Sequence, residues 1–191
     1  MKKLMIAVAI VCAAVISQAS QFSWKTANGN GIGLPGNDDA GFEGTVYIFA
    51  NDTTGSGAKM TRAAMLQAFV DGSVPTASAL ASITSDEWGE FKSSANFDYG
   101  ATGDNSNFYL VALTKIDGND AIFIGNTVLG AGQQSQTTAL AFKEWDNGYA
   151  AAMDATAGFQ GAGWYTAVPE PTSGLLLLLG VAGLALRRRR A

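Results

Sequence analysis

Apolar residues in this chain fall in short runs separated by glycine, asparagine and aspartate. The run Thr-Val-Tyr-Ile-Phe-Ala at 45–50 joins β-branched and aromatic residues without a polar break, which predicts a buried strand. Residues 107–115 and 121–129 are two further β-rich runs on either side of Asp117-Gly118, the strongest hairpin signal in the chain. Apolar residues on both faces of 107–115 predict a central strand covered on both sides. Shorter runs at 22–26, 91–99, 139–143 and 163–167 read as additional strands, and 28–44 as a polar, glycine-rich loop. Helical spacing is confined to 59–70, where Met60, Ala63, Ala64 and Phe69 recur near every 3.6 residues and Gly72 supplies a stop. Residues 77–83 suggest a second short helical turn. The pattern predicts a mainly β single domain, a sandwich or jelly-roll-like fold with one packed helix, without internal repeats.

The two ends have a different character. Met1, Lys2 and Lys3 precede an unbroken apolar stretch at 4–16, followed by Ser17-Gln18-Ala19 with small residues where a signal peptidase pocket requires them. Thirteen residues at about 1.5 Å each span about 20 Å, short of the roughly 30 Å hydrocarbon layer, so 1–19 reads as a removable secretory signal cleaved after Ala19, with Ser20 the alternative. Cys12, the sole cysteine, leaves with it; Val11 stands where a lipoprotein signal has a small residue. At the other end, Val168-Pro169-Glu170-Pro171-Thr172-Ser173 leads into a leucine-rich apolar segment at 174–186, and Arg187, Arg188, Arg189 and Arg190 follow at once. This is the physics of a stop-transfer segment: the apolar run partitions into the bilayer and the arginines resist crossing it. The segment is also about 20 Å long, which suits a temporary anchor better than a permanent one.

The order Val168, Pro169, Glu170, Pro171, then a short apolar helix, then a terminal arginine cluster resembles the PEP-CTERM sorting signal. The resemblance covers 168–191. It implies processing by an exosortase-type membrane enzyme in a Gram-negative bacterium of the kind that makes exopolysaccharide or biofilm matrix. It also implies that Pro169, Glu170 and Pro171 form the recognition element. The expected partners are signal peptidase, the exosortase, the inner membrane as a transient anchor and exopolysaccharide. The expected route is an inner-membrane intermediate followed by the cell surface or the medium.

Between the two signals, 20–167 form one extracellular domain. Counted to Val168, this body carries six basic and fifteen acidic residues, a net charge of −9 against −4 for the whole chain. A surface of that sign does not suit nucleic acid or an anionic membrane. Glycine makes up 20 of its 149 residues, about twice the usual share, and sits between the short apolar runs as turns do in β domains.

Without histidine or cysteine in the body, a Ser-His-Asp triad, a cysteine nucleophile and the usual zinc sites are excluded, and no cofactor is expected. Gly31-Ile32-Gly33-Leu34-Pro35-Gly36 spells a dinucleotide fingerprint, but Pro35 and the polar residues after it forbid the helix that this mechanism needs. Asp98, Asp104, Asn105 and Asn107 form a weak calcium candidate read as one loop, as do Asp117, Asn119 and Asp120; both fail the EF-hand spacing. Asp86, Glu87 and Glu90 are candidates for a two-carboxylate hydrolase. Trp88 and Trp145, with the most polar neighbours, are the candidate sugar-stacking residues, whereas Trp24 and Trp164 sit in strands and are expected to be packed. The sequence therefore favours a non-enzymatic surface or matrix protein, with a carbohydrate-binding module second and a secreted hydrolase third.

Overall fold

The computed structural model describes residues 19–26, 29–52, 58–91, 95–101, 105–131 and 138–167. The predicted leader (apart from Ala19), the sorting motif, the apolar segment at 174–186 and the arginine cluster lie outside these residues. Among the described residues no helix is long and apolar enough to cross a membrane.

The described residues are mainly β, with one helix longer than a single turn. Its strands are β1 (Ala19–Thr26), β2 (Gly33–Leu34), β3 (Asn37–Gly41), β4 (Thr45–Ala50), β5 (Ala81–Thr84), β6 (Ala95–Ala101), β7 (Asn105–Ile116), β8 (Asn119–Ile124), β9 (Val128–Ala131), β10 (Thr138–Phe142), β11 (Met153–Asp154) and β12 (Gly163–Thr166). The larger sheet runs β11-β12-β8-β7-β4-β5, with β9 also pairing β7. A smaller sheet has the order β10-β1-β6, and β2 and β3 form a hairpin of their own. Strand pairs β1–β10 and β11–β12 are parallel, and the other pairings of named strands are antiparallel.

Strand β7 is apolar on both faces because both faces are covered. Phe108, Leu110 and Ala112 share one core cluster with Phe22, Trp24, Phe97, Tyr99, Leu140 and Phe142 of the smaller sheet. Tyr109 and Val111 point the other way and share a second cluster with Phe49, Ile122, Ile124 and Tyr165, closed by Met65 and Leu66 of helix α1 (Arg62–Val70). The first cluster is joined by rings: Phe108 lies 5.0, 5.5 and 5.1 Å from Phe22, Phe97 and Tyr99, each centroid to centroid. Contacts of this kind add about 0.5–1.5 kcal/mol each beyond the area buried.

Several boundaries differ from the sequence expectation for identifiable reasons. Helix α1 begins at Arg62 rather than Lys59, because Lys59 bridges to Ala50 and the Thr61 hydroxyl caps the helix by accepting from the Ala64 N–H at 3.2 Å. The expected turn at 77–83 is a single 3-10 turn (Thr76–Ser78) followed by β5, which pairs with β4 at the sheet edge. Residues 121–129 are two strands, because the Gly125 N–H donates to the Leu110 carbonyl and the ladder with β7 stops at Ile124. The Asp117-Gly118 hairpin forms as expected, with φ of 51° and 83°, the two left-handed residues of a type I′ turn.

Tyr109 provides a test of the second cluster. Its hydroxyl donates to the Met60 carbonyl at 2.9 Å. Burial pushes its pKa well above the ordinary value of 10.0, and nearby Arg62 only partly opposes this. The folded value exceeds the unfolded one, so this stabilisation is complete below about pH 10 and is lost as pH rises further. The urea midpoint should fall between about pH 9 and about pH 11. Tyr109→Phe should make that fall shallower and cost about 0.5–1.5 kcal/mol at neutral pH. An unchanged slope in the variant would remove Tyr109 from the account.

Candidate functional site

The candidate tryptophans Trp88 and Trp145 and the carboxylates at 86–90 lie in segments packed against the glycine-rich segment, which is a packed hairpin rather than a loop. Two segments lie against β2 and β3: the turn containing Trp88, and the short helix α2 (Trp145–Gly148). Glycine permits both approaches. A Cβ on Gly41 would lie 1.9 Å from the Trp88 carbonyl carbon, and one on Gly31 would lie 2.3 Å from the Trp88 oxygen. A Cβ on Gly148 would meet the Gly33 nitrogen at 2.3 Å. Backbone bonds complete the junction: Ile32 N–H to Gly89 O at 3.0 Å and Gly41 N–H to Glu87 O at 3.0 Å. The buried Trp164 indole donates to the Gly33 carbonyl at 2.7 Å. The dinucleotide-like spelling is thus a close-packing device, and no helix follows it.

The Trp88 turn is fixed internally as well. The Asp86 carboxylate accepts the N–H groups of Trp88 and Glu90, each at 3.0 Å, and Gly89 has φ of 69°. The Glu90 carboxylate accepts the Gly29 N–H. Two of the three carboxylates considered for hydrolysis therefore hold the turn together, while Glu87 is exposed. The result is an indole 49% exposed on a backbone pinned from both sides. Trp145 is different: it is half-buried, with its ring T-shaped against Tyr149 at 4.4 Å. Trp24 and Trp164 are fully buried.

The first calcium candidate does not form one loop. Asp98 lies in β6 opposite Gln21, in the smaller sheet, whereas Asn105 and Asn107 lie in β7 opposite Ala131 and Leu129, in the larger one. Pairing with β9 extends β7 back to Asn105, so polar residues read as a loop are part of a strand. Asp104 lies outside the described residues. In the second candidate, Asp120 pairs with Lys115 at 2.5 Å on an exposed surface. Among the described residues no three acidic side chains converge as metal ligands do.

Sequence reasoning missed Glu144. Its carboxylate is fully buried and accepts the Asn126 N–H at 3.0 Å on both oxygens and the Asn126 amide at 3.3 Å. A Cβ on Gly125 would lie 2.6 Å from one of those oxygens, so a glycine makes this room too. The signal was Gly125-Asn126 breaking an otherwise apolar run, which shows a bend but not its distant partner.

The glycines predict a graded response. Gly41→Ala places a methyl inside the Trp88 backbone and should cost upwards of about 2 kcal/mol in urea unfolding, as strain at a packed site does. Gly36→Ala, at φ of 71° in open space, should cost about 1–2 kcal/mol from backbone strain alone. Trp88 emission should change with the first and stay with the second. Equal costs and equal spectra would refute the packed junction.

No curated protein and no solved structure matches the chain. The PEP-CTERM protein-sorting motif family matches residues 167–190, the tail only, which implies an exported protein sorted by an exosortase along a cell-surface or extracellular route in a Gram-negative bacterium.

Proposed function

We propose that the body is a non-enzymatic structural or interaction component of the cell surface or extracellular matrix, released or retained there after its tail is processed. The observation that carries this reading is the sorting motif at 167–190, placed directly after the last strand, β12. The acidic body and a candidate site built mainly from backbone bonds and one exposed ring support interaction rather than turnover. We read its architecture as sandwich-like, since the smaller sheet shares its core cluster with one face of the larger. The parallel β1–β10 pair departs from an all-antiparallel jelly roll. Mass spectrometry of the protein from its native host should show a start near Ser20 and no arginine cluster. A mature form that retains residues 4–16 would sink the reading.

A second reading, a carbohydrate-binding module for exopolysaccharide, is favoured by Trp88 alone. Glycan-array binding should then be lost on Trp88→Ala, which removes the stacking ring, and kept on Trp145→Ala. Absence of any glycan signal, or equal loss in both variants, would return the protein to the first reading. A secreted hydrolase has the least support, because Asp86 and Glu90 are engaged in their own turn.

A further inference from the structure

The face of the larger sheet that carries helix α1 is not covered along its whole length. The helix ends at Val70 and Gly72 turns the chain away at φ of 66°. Beyond it, Phe69, Val70, Val74, Leu113, Ala121 and Ala167 line an open groove of about 510 Å³. Val70 is 41% and Leu113 37% exposed there, two of the four large apolar side chains that the described residues leave in water. Asp120, on the groove's rim, accepts the Ala167 N–H through its carbonyl at 3.2 Å, so the chain is held to the sheet until the residue before Val168.

That junction constrains whatever reads the tail. Residues 168–171 extend at most about 14 Å from Ala167, because an extended chain gains no more than about 3.6 Å per residue. An enzyme that closes on them abuts the ground beside Ala167, and that ground is this groove. We propose that the groove is a docking surface for the processing exosortase, which seats an apolar side chain or loop of its extracytoplasmic face between Val70 and Leu113 while it holds the motif. This rests on the sorting reading above. It adds that the body, and not the tail alone, sets how fast the chain is processed. The occupant is mainly apolar because most of the groove's exposed lining is, with Thr76 and Thr114 as polar neighbours, and Asp120 on the rim already pairs with Lys115.

The test follows the full-length chain in its native host by pulse–chase, reading conversion of the anchored precursor to the form without its tail. Val70→Lys keeps helix propensity and Leu113→Ser acts on a partly exposed position; the double variant should slow conversion by about fivefold or more, as truncating interface contacts does. Leu129→Ser, 58% exposed on β9 at the far end of β7, should convert at the wild-type rate. Urea midpoints of the purified bodies verify folding, and where Leu113→Ser lowers the midpoint, Val70→Lys alone carries the test. Wild-type conversion in the groove variants overturns the docking proposal. So does slowing accompanied by loss of a dimer in sedimentation, which would make a second copy the occupant. Glu170→Ala separates the two readings: it should block conversion whatever the groove carries, and a tail lost at the normal rate in that variant would overturn the sorting reading itself.

Discussion

A strand that is apolar on both faces has to be covered twice, and β7 is that strand. Residues 20–168 contain no cysteine to staple the fold, so burial around β7 has to offset most of the conformational entropy lost on folding. The two covers are chemically different. On one face Phe108 is gripped by rings from two strands of the smaller sheet; on the other a nine-residue helix lays Met65 and Leu66 over Tyr109, Val111 and their neighbours. The ring side is long and nearly complete. The helix side is short, and its early end leaves Leu113 partly in water.

Glycine solves the remaining problem, which is how to seal the rim of a small β domain without large side chains. Gly31, Gly41 and Gly148 let two separate segments approach the β2–β3 hairpin to backbone distance, where hydrogen bonds between main-chain groups replace side-chain packing. Such a junction is intolerant of added volume but strongly oriented. Trp88 differs from an ordinary exposed aromatic in that its backbone is held from both sides, which leaves χ1 and χ2 as the rotations that move its ring.

The elements carried by local pattern were legible. Thr45–Ala50 was bounded to the residue, and the Asp-Gly turn has the backbone its residues demand. What was not legible depends on distant partners. Nothing in Asn28 to Gly44 reveals that its glycines meet Trp88 and Gly148, because close approach leaves no periodicity. Asn105 looks like loop, and becomes strand only because β9 pairs with it. Glu144 looked like a polar neighbour that would keep Trp145 in water; instead its carboxylate is buried against Asn126, eighteen residues away in sequence. Exposure of Trp88 followed correctly from its acidic neighbours, although one of those neighbours, Asp86, is there to cap the turn rather than to solvate the ring.

Charge and tether act in opposite directions on such a body. A domain of −9 is repelled by an anionic leaflet over a Debye length of about 8 Å at physiological salt, so it has no reason to lie on the membrane that its tail would enter. With only the six residues 168–173 between Ala167 and the apolar segment, extended reach is about 20–25 Å, enough to keep most of the acidic surface outside that screening distance. On the proposed route, the part of the body nearest the bilayer is the end of the larger sheet where Ala167 leaves it. There Val70 and Leu113 are exposed beside Thr76 and Thr114, and Asp120 on the rim pairs with Lys115. Asp71, Asp117 and Asp154 also lie at that end, so what distinguishes it from the rest of an acidic surface is the exposed apolar pair Val70 and Leu113 and not an absence of charge.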